Sequence, residues 1–328
     1  MTKFILLAGL ALSIAGCSGY PSGTLVFITN ERAGTISVID AATDKVVDTI
    51  MTGARPRGIR VSENGKHAYV AISSPLNAKP RPEENRVAVY DTTTGELVRN
   101  IQVGMDPEQL AVDAGEKRLY VSNEDDGTLT IIDLSNGETI DTLITGIEPE
   151  GVTISPDGKR VFVMAETSST VTVVDAATPA VIATLLVGAR PRDAAFSPDG
   201  SKGYVSAEMG QVLTVVDMAT LEIAANIPLD YGPDVRPVGV VVSSDGNTVY
   251  VANGRGNSVS VIDAGTLQVL KNISVGQRVW GIGLAGRIGK LYTANGLSND
   301  VSVIDTSTNK LVDTIAAGDG PWGVAVRE

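Results

Sequence analysis

The apolar residues of this chain fall in short runs of four to seven positions, separated by turn-forming residues. The runs are rich in Val, Ile and Thr, and in several of them apolar and polar residues alternate, as in Thr170–Asp175. Runs of this length and composition predict β-strands rather than helices. A Pro156-Asp157-Gly158 turn between two such runs favours a hairpin. The pattern therefore predicts an all-β protein built from short antiparallel strands.

Four such runs form a unit that repeats along the chain. Two apolar residues followed by Asp close the third run of each unit, and seven copies end at Asp40, Asp91, Asp133, Asp175, Asp217, Asp263 and Asp305. Their separations are 51, 42, 42, 42, 46 and 42 residues, and the two long intervals contain insertions at 74–84 and 230–235. Four antiparallel strands every 42 residues is the period of a propeller blade. The repeat predicts a seven-bladed β-propeller; six or eight blades, or an open solenoid with polar capping repeats, fit it less well.

The two ends of the repeat region complement each other. The first unit begins at residues 24–28 without its opening strand, whereas residues 321–327 read as an opening strand with nothing after it. We expect them to combine into one blade of three N-terminal strands and one C-terminal strand, because such closure removes the exposed edges of an open array. The predicted propeller spans residues 24–328.

The N-terminal segment has the pattern of an export signal. Lys3 is followed by the apolar run Phe4–Ile14, which is too short to span a membrane, and by Ile14-Ala15-Gly16-Cys17. That tetrapeptide resembles a bacterial lipobox, which implies a signal peptide at 1–16, lipidation of Cys17 and a lipid-anchored tether at 17–23. Ser18, which is not Asp, implies sorting to the periplasmic face of the outer membrane. Cys17 is the only Cys, so no intrachain disulfide is expected.

Charge limits the partners of the protein. There are 26 Lys and Arg against 38 Asp and Glu, which gives a net charge of −12. Such a field repels phosphate backbones, so nucleic acid is not expected as a partner. The membrane is expected to be contacted through the lipid anchor only.

Two sets of motifs carry a resemblance to known propellers. Tyr-Val segments, each followed by a strand that ends in Asp, resemble the YVTN repeat of bacterial and archaeal surface propellers over 24–328, and they begin at Tyr69, Tyr120, Tyr204 and Tyr250. A series of charged and aromatic loop motifs also follows, in its order along the chain, that of the propeller protein associated with PQQ-dependent catabolism, which it resembles. These motifs lie at 55–58, 123–126, 148–151, 190–192, 236–239, 276–280, 295–305 and 321–324. That resemblance implies a periplasmic accessory to a quinoprotein oxidation system, with a dehydrogenase or cytochrome as partner. It does not imply that this chain binds the quinone, and no cofactor is predicted.

Charged and aromatic residues concentrate in two kinds of loop. In a four-stranded antiparallel blade, the loop entering the first strand and the loop between the second and third strands emerge on the same face. The candidate ligand- or partner-binding residues in these loops are Arg57, Arg192, Arg236, Arg278, Trp280, Trp322, Glu31, Glu124, Glu166 and Glu208. Arg grips carboxylates and phosphates, and indoles stack on flat or cationic groups. Two interpretations stay open: a site for a small anionic or aromatic ligand, or a belt of salt bridges around a narrow channel.

Signatures of catalysis are sparse. The only His, His67, follows a Ser62–Gly65 hairpin on the opposite face and is expected to be a solvated turn residue. A Ser-His-Asp triad, a His-rich metal site and a Cys-His haem attachment are therefore unsupported, and no catalytic or metal site is predicted. Calcium among Glu124, Asp125 and Asp126 is a minor alternative. The seven repeated Asp residues are expected to accept hydrogen bonds from turn amides.

The sequence thus favours a non-enzymatic, exported binding or scaffold lipoprotein. The alternative is a metal- or carboxylate-dependent enzyme of lactonase or lyase type, with Glu and Arg at the channel mouth as acid-base and oxyanion groups.

Overall fold

The computed structural model describes residues 19–75, 79, 81–232 and 234–328. Cys17 and the predicted signal peptide lie outside the described residues. Within the described part the chain forms strands and two short 3-10 helices, Pro82–Glu84 and Gly286–Ile288. The strands are β1 Leu25–Asn30, β2 Thr35–Asp40, β3 Lys45–Met51, β4 Arg55–Val61, β5 His67–Ser73, β6 Arg86–Asp91, β7 Leu97–Gln102, β8 Pro107–Val112, β9 Arg118–Asn123, β10 Thr128–Asp133, β11 Thr139–Ile144, β12 Pro149–Ile154, β13 Arg160–Ala165, β14 Thr170–Asp175, β15 Ala180–Leu186, β16 Pro191–Phe196, β17 Lys202–Ala207, β18 Val212–Asp217, β19 Glu222–Pro228, β20 Val240–Val242, β21 Thr248–Ala252, β22 Ser258–Asp263, β23 Val269–Ser274, β24 Val279–Ala285, β25 Lys290–Asn295, β26 Asp300–Asp305, β27 Lys310–Ala316 and β28 Pro321–Arg327.

These strands form seven antiparallel sheets of four strands each, which are the blades of a propeller. Blade 1 has the order β28-β1-β2-β3, and blades 2 to 7 take the remaining strands four at a time in chain order. The innermost strands of neighbouring blades contact one another all the way round, from β28 through β4 to β24 and back to β28. The predicted seven-bladed all-β propeller is confirmed.

Closure of the ring occurs within blade 1. Strand β28 pairs antiparallel with β1, with Val326 opposite Val26 and Arg327 opposite Leu25. The predicted combination of one C-terminal with three N-terminal strands is therefore confirmed. Strand β1 is therefore not left with an unpaired edge, which an open array would expose to other chains.

The apolar core lies between the blades. Strand β2 is buried along its whole length, whereas β3, the outer strand of the same blade, is mostly exposed. Because each blade is covered on both faces by the two neighbouring blades, its inner strands need apolar residues on both faces. The second-strand tyrosines Tyr69, Tyr120, Tyr204 and Tyr292 are among the largest fully buried side chains. This burial explains the continuous apolar runs and the recurrent Tyr-Val pairs of the sequence.

The repeated Asp residues stabilise the turns between the third and fourth strands. In six of them a carboxylate oxygen accepts a hydrogen bond of 2.7 to 3.1 Å from the amide two residues later, and Asp305 accepts one of 2.8 Å from the amide of Thr308. The six are Asp40, Asp91, Asp133, Asp175, Asp217 and Asp263. The prediction for these residues is confirmed. Their turns lie on one face, called the bottom face here; the loops between second and third strands define the top face.

The segment that precedes β1 is bound to the bottom face. The amide of Tyr20 donates to the Thr93 carbonyl at 2.7 Å, and its hydroxyl donates to Asp48 at 2.5 Å. Arg327 donates to the carbonyls of Pro21 and Gly23 at 2.8 and 3.0 Å. Residues 19–23 of the predicted tether are thus packed against the propeller. Among the described residues there is no helix of the length and apolar character needed to cross a membrane.

Candidate functional site

The innermost strand of each blade begins with an equivalent set of three residues. In most blades the middle position is Pro, and the third position turns towards the axis. From blade 1 to blade 7 the third-position residues, called the inner ring here, are Trp322, Arg57, Glu108, Glu150, Arg192, Val238 and Trp280. The repeat therefore places one side chain per blade around the top of the channel, and its identity differs from blade to blade.

Members of the inner ring contact one another through ion pairs and aromatic stacking. The rings of Trp280 and Trp322 stack with centroids 6.4 Å apart, and the guanidinium carbons of Arg57 and Arg192 lie 4.9 and 5.4 Å from the Trp322 and Trp280 rings. Arg57 pairs with Glu108, and Arg192 donates to Glu150 at 2.8 Å. Both arginines are 8% exposed. Charged and aromatic side chains thus fill the channel mouth.

One half of the mouth is centred on Arg192. Its guanidinium contacts Glu150 and Glu166, and Glu208 lies 3.6 Å from it. Glu166 also accepts a hydrogen bond from Arg190, whose Nε is 3.9 Å from Glu208. We call Glu150, Glu166, Arg190, Arg192 and Glu208 the Arg192 sector. Three carboxylates here surround two guanidinium groups.

The other half is centred on Arg57. Glu31 Oε1 lies 3.0 Å from Arg55 Nε and 3.1 Å from Arg57 Nη1, so it bridges the two arginines. Glu108 takes the other side of Arg57. Burial lowers the pKa of Arg57, but attraction by Glu108 and Glu31 outweighs it, so the pKa is raised. Glu31, Arg55, Arg57 and Glu108, with Asp106 beside them, form the Arg57 sector.

Glu124 lies next to the Arg57 sector. Among the described residues it makes no ion pair with Lys or Arg. Burial, together with the nearby Glu150 and Asp106, raises its pKa, although Glu108 and Arg57 act in the opposite direction. The pKa of Glu108 is also raised, by burial and by Glu150 and Glu124, against the attraction of Arg57. Carboxylates therefore outnumber cations in this part of the mouth.

The remaining predicted arginines have fewer acidic neighbours. Arg236 is 4.0 Å from the exposed Asp234. Arg278 stacks 4.2 Å from the Trp280 ring, and no ion pair to a carboxylate joins it within the described ranges. Burial lowers the pKa of Arg278, and the neighbouring Arg255 lowers it further. The structure thus brings all ten predicted residues to the top face, but of the four predicted arginines only Arg57 and Arg192 join the belt of salt bridges. Each of these two guanidinium groups is held by two carboxylates, Glu31 and Glu108 for Arg57 and Glu150 and Glu166 for Arg192, which favours the salt-bridge interpretation for them.

From the inner ring downwards the channel encloses a cavity of about 560 Å³, whose lining includes Glu150, Arg192 and Trp280 of the inner ring. Its wall is mostly apolar and includes Val61, Ile154, Phe196, Leu284 and Val326. Pro156, Ser244, Gly286 and Glu328 line its bottom end. A concave, preformed and largely apolar cavity is the usual form of a small-molecule site.

Besides Glu150 and Arg192 at the top and Glu328 at the bottom, two charged side chains lie in this wall, and the sequence reasoning missed both. Arg60 Nη2 of blade 2 lies 3.9 Å from Asp193 Oδ1 of blade 5, across the channel. Asp193 Oδ2 accepts a hydrogen bond from the Val240 amide at 3.1 Å. Burial raises the pKa of Asp193, and Arg60 lowers it by less. Aligning the inner strands would have revealed them, because the positions of Asp193 and Arg60 are mostly Gly and small or apolar residues in other blades.

His67 differs from its prediction. It is the first residue of strand β5, not a turn residue, and its Nδ1 is 2.7 Å from Glu116 Oε2. The same oxygen accepts a hydrogen bond from the Tyr69 hydroxyl at 2.8 Å. Exposure of its side chain is 31%, so the expectation of a solvated turn was wrong in part. The cluster belongs to the bottom face, away from the channel mouth.

Comparison with known proteins gives two partial family matches. Residues 81–191 match the Cytochrome D1 heme domain family, and residues 175–327 match the family "Lactonase, 7-bladed beta-propeller". The wall of the central cavity, as far as the structure describes it, has no His, Cys, Met or Tyr. These are the usual axial ligands of a haem iron, so the residues present do not fit a haem there. No curated protein matches the chain.

Solved structures are similar over nearly the whole chain. Hydrazine synthase of Kuenenia stuttgartiensis matches with a TM-score of 0.77 and 22% identity, over 92% of this chain and 99% of that one. A functionally unknown protein from Desulfotomaculum acetoxidans DSM 771 matches at 0.78 and 17%, over 92% and 98%. A protein from Lactobacillus plantarum matches at 0.78 and 19%, over 93% and 100%. At such identities the likeness concerns the fold, and this chain is a seven-bladed β-propeller with lactonase-like and cytochrome D1-like segments.

Proposed function

We propose that this protein binds a small molecule in its central channel and does not transform it. The observation that carries the proposal is the cavity of about 560 Å³, in whose wall the oppositely charged Arg60 and Asp193 stand among apolar residues, below Glu150 and Arg192. At the top of the cavity Arg192 is already held by Glu150 and Glu166, so the Arg60–Asp193 pair is the more loosely paired set of charges that a ligand would meet. The bottom end is the expected entrance.

The chemistry of the charge pair suggests the class of ligand. Arg60 and Asp193 are 3.9 Å apart, which is too far for a hydrogen bond. A zwitterion with an apolar body, such as a free amino acid, would supply a carboxylate to Arg60 and an ammonium group to Asp193. Its side chain would contact the apolar wall near Phe196 and Leu284. Each charge would then gain a close partner without leaving the other unpaired.

Calorimetry with L-phenylalanine, L-leucine and 3-phenylpropionate as probes tests this proposal. The amino acids should bind more tightly than the monoanion. Arg60→Gln and Asp193→Asn should each weaken amino acid binding by at least roughly tenfold, the scale of one lost charge-assisted contact. Arg236→Gln, at the mouth, is the matched control and should bind like the wild type. Absence of binding of all three probes, or unchanged affinity in both channel variants, would contradict the proposal.

Export and anchoring form a second part of the proposal. The lipobox-like sequence at Cys17 supports a lipoprotein on the periplasmic face of the outer membrane. The contacts of residues 19–23 with the propeller support an orientation of the propeller relative to that membrane. Gly19 lies against Thr93 on the bottom face, so an anchor two residues earlier would put that face towards the lipid. Labelling with a palmitate analogue in a bacterial host, with Cys17→Ser as control, tests this. A wild type that incorporates no label would refute the anchor.

A partner completes the proposal. The similarity of the mouth motifs to the propeller protein associated with PQQ-dependent catabolism supports an accessory role beside a periplasmic quinoprotein dehydrogenase or its cytochrome. In the orientation given above, the top face with Arg236, Arg278 and Trp280 points away from the membrane and is available to that partner. Crosslinking from the top face in the periplasm should recover such a protein, and recovery of cytoplasmic proteins alone would argue against it.

An enzymatic function is the second candidate. The lactonase match over residues 175–327 favours it, and the buried Glu108 and the half-buried Glu124 are carboxylates of the kind that acid-base chemistry would need. Hydrolysis of glucono-δ-lactone, followed in a pH-stat, separates the two functions. Turnover that Glu124→Gln abolishes would replace the binding proposal with the enzymatic one.

A further inference from the structure

The loop between the second and third strands of a blade contacts the start of the next blade. Glu31 of blade 1 lies between Arg55 and Arg57 of blade 2. Glu166 of blade 4 meets Arg190 and Arg192 of blade 5 in the same way. Where the next blade begins with Arg-Pro-Arg, the loop glutamate therefore receives two guanidinium groups.

Glu124 of blade 3 occupies the same loop position but has different neighbours. Blade 4 begins with Glu148-Pro149-Glu150, so the two places that hold arginines elsewhere hold carboxylates here. Glu124 approaches Asp106 and Glu108 of its own blade instead. One oxygen from each of the three side chains lies within 4.8 Å of the other two. Arg55 and Arg57 lie beside Asp106 and Glu108 but not beside Glu124, so the repulsion among the three carboxylates is only partly offset.

Glu108 provides an independent observation that points to a ligand at this cluster. Its side chain is completely buried, and Oε2 pairs with Arg57. Its Oε1 finds no hydrogen-bond partner among the residues that the structure describes. Arg55 Nη2 is 3.8 Å from this oxygen and 3.5 Å from Asp106 Oδ1, and neither contact is a hydrogen bond. A buried carboxylate oxygen in this state normally has a partner, such as a donor, a water molecule or a metal ion.

We propose that Asp106, Glu108 and Glu124 bind one divalent cation, and that the cation is Ca²⁺. Carboxylate oxygens are the hard ligands that Ca²⁺ takes at 2.3–2.6 Å, so oxygens on one ion are separated by at most about 5 Å. The observed spacing meets that condition. Asp106 and Glu124 are partly exposed and leave room for water ligands, which Ca²⁺ accepts in irregular geometry. Asp125, Asp126 and Glu148 lie close by and add to the negative potential.

The cation would do for Glu124 what Arg190 and Arg192 do for Glu166. It would neutralise the loop glutamate, give Glu108 Oε1 a partner and connect the start of blade 3 with its second loop. The proposal does not depend on the channel ligand, because the three carboxylates lie outside the wall of the cavity.

Calcium titration of the EDTA-treated protein, by calorimetry and by thermal unfolding, tests the site. One Ca²⁺ should bind per chain, with a dissociation constant of about 1 mM or tighter, and should raise Tm. Glu124→Gln and Asp106→Asn should weaken binding at least roughly tenfold and remove most of the rise in Tm. Both residues are partly exposed and outside the Arg57 ion pair, so the variants are expected to fold.

Glu166→Gln is the matched control, because Glu166 has the same place in its blade but arginines for neighbours. It should lower Tm without calcium and leave calcium affinity unchanged. The proposal is overturned if the wild type binds no Ca²⁺ at about 10 mM, or if Glu124→Gln binds it as tightly as the wild type. Equal loss of affinity in Glu166→Gln would also overturn it, since binding would then follow the general charge of the mouth.

Discussion

The Arg57 and Arg192 sectors start from the same tripeptide and reach different electrostatic states. Arg-Pro-Arg opens blade 2 at residues 55–57 and blade 5 at residues 190–192, and in both a glutamate of the preceding blade bridges the two arginines. In the Arg192 sector each carboxylate lies within 4 Å of an arginine. Beside the Arg57 sector, Glu124 has no such partner in the described chain, and Glu108 Oε1 has no hydrogen bond.

The difference arises because a charge at the mouth is shared by two adjacent blades. Blade 5 follows an acidic blade, so its arginines neutralise Glu150 and Glu166. Blade 3 is followed by that same acidic blade, so Glu124 meets Glu148 and Glu150 instead of arginines. The Arg-Pro-Arg motif can therefore form a cluster in which every carboxylate has an arginine partner, or lie next to carboxylates that outnumber the arginines. The identity of the neighbouring blades decides which of the two occurs.

Opening the ring should have the largest effect, because both sectors depend on closure. Deletion of residues 321–328 removes β28, exposes the edge of β1 and takes Trp322 from the inner ring. We expect loss of the single cooperative unfolding transition in circular dichroism and urea titration. Deletion of Glu328 alone is the control and should keep the transition. A truncated chain that unfolds like the wild type would show that closure is not needed.

Removal of the central arginine should be the next largest effect. Arg192→Met leaves Glu150, Glu166 and Glu208 in buried positions without their main counter-charge. Breaking a buried pair on one side costs about 3–5 kcal/mol, so urea unfolding should show a loss of that size. Adding Glu166→Gln to Arg192→Met should restore part of it, because one uncompensated charge disappears. A loss below about 1 kcal/mol would mean that the cluster is solvated.

Much of this arrangement could be predicted from the sequence. The period of 42 residues and the complementary ends predict the blades and their closure, and loop positions alone place Arg57, Arg192 and the glutamates on one face. The pairing partners could not be predicted, because they depend on which side chain of the adjacent blade points to the same spot. Arg278 carries the same charge as Arg57, but Gly254 stands in the preceding loop where Glu31 stands before Arg57. The loop before Arg236 does contain a glutamate, Glu208, but that residue lies near Arg190 and Arg192 of its own blade. Arg60 and Asp193 were not predicted, because they lie within inner strands, whereas the predicted residues were those assigned to loops.

Arg192 and its neighbour Asp193 allow the smallest but most specific test of the comparison, since one belongs to a closed cluster and the other to a loose pair. Burial raises the pKa of Asp193 above its value in the unfolded chain, so the folded state binds the proton more tightly. Its contribution to stability is thus fully present below pH about 3.9 and is lost as pH rises through the folded pKa. The wild type should therefore lose stability relative to Asp193→Asn as pH rises above about 3.9.

Asp305 is the control for this pH dependence because its sign is opposite. Hydrogen bonds from Ser307 and Thr308 lower the pKa of Asp305 to about 2, so its stabilising contribution is present above pH about 3.9 and is lost as pH falls through about 2. Relative to Asp305→Asn, the wild type should therefore lose stability on acidification, the reverse of the Asp193 result. Urea unfolding of both pairs in parallel measures the two slopes. The same slope for both pairs would mean that Asp193 is solvated and that the Arg60 pair is not enclosed by the channel wall.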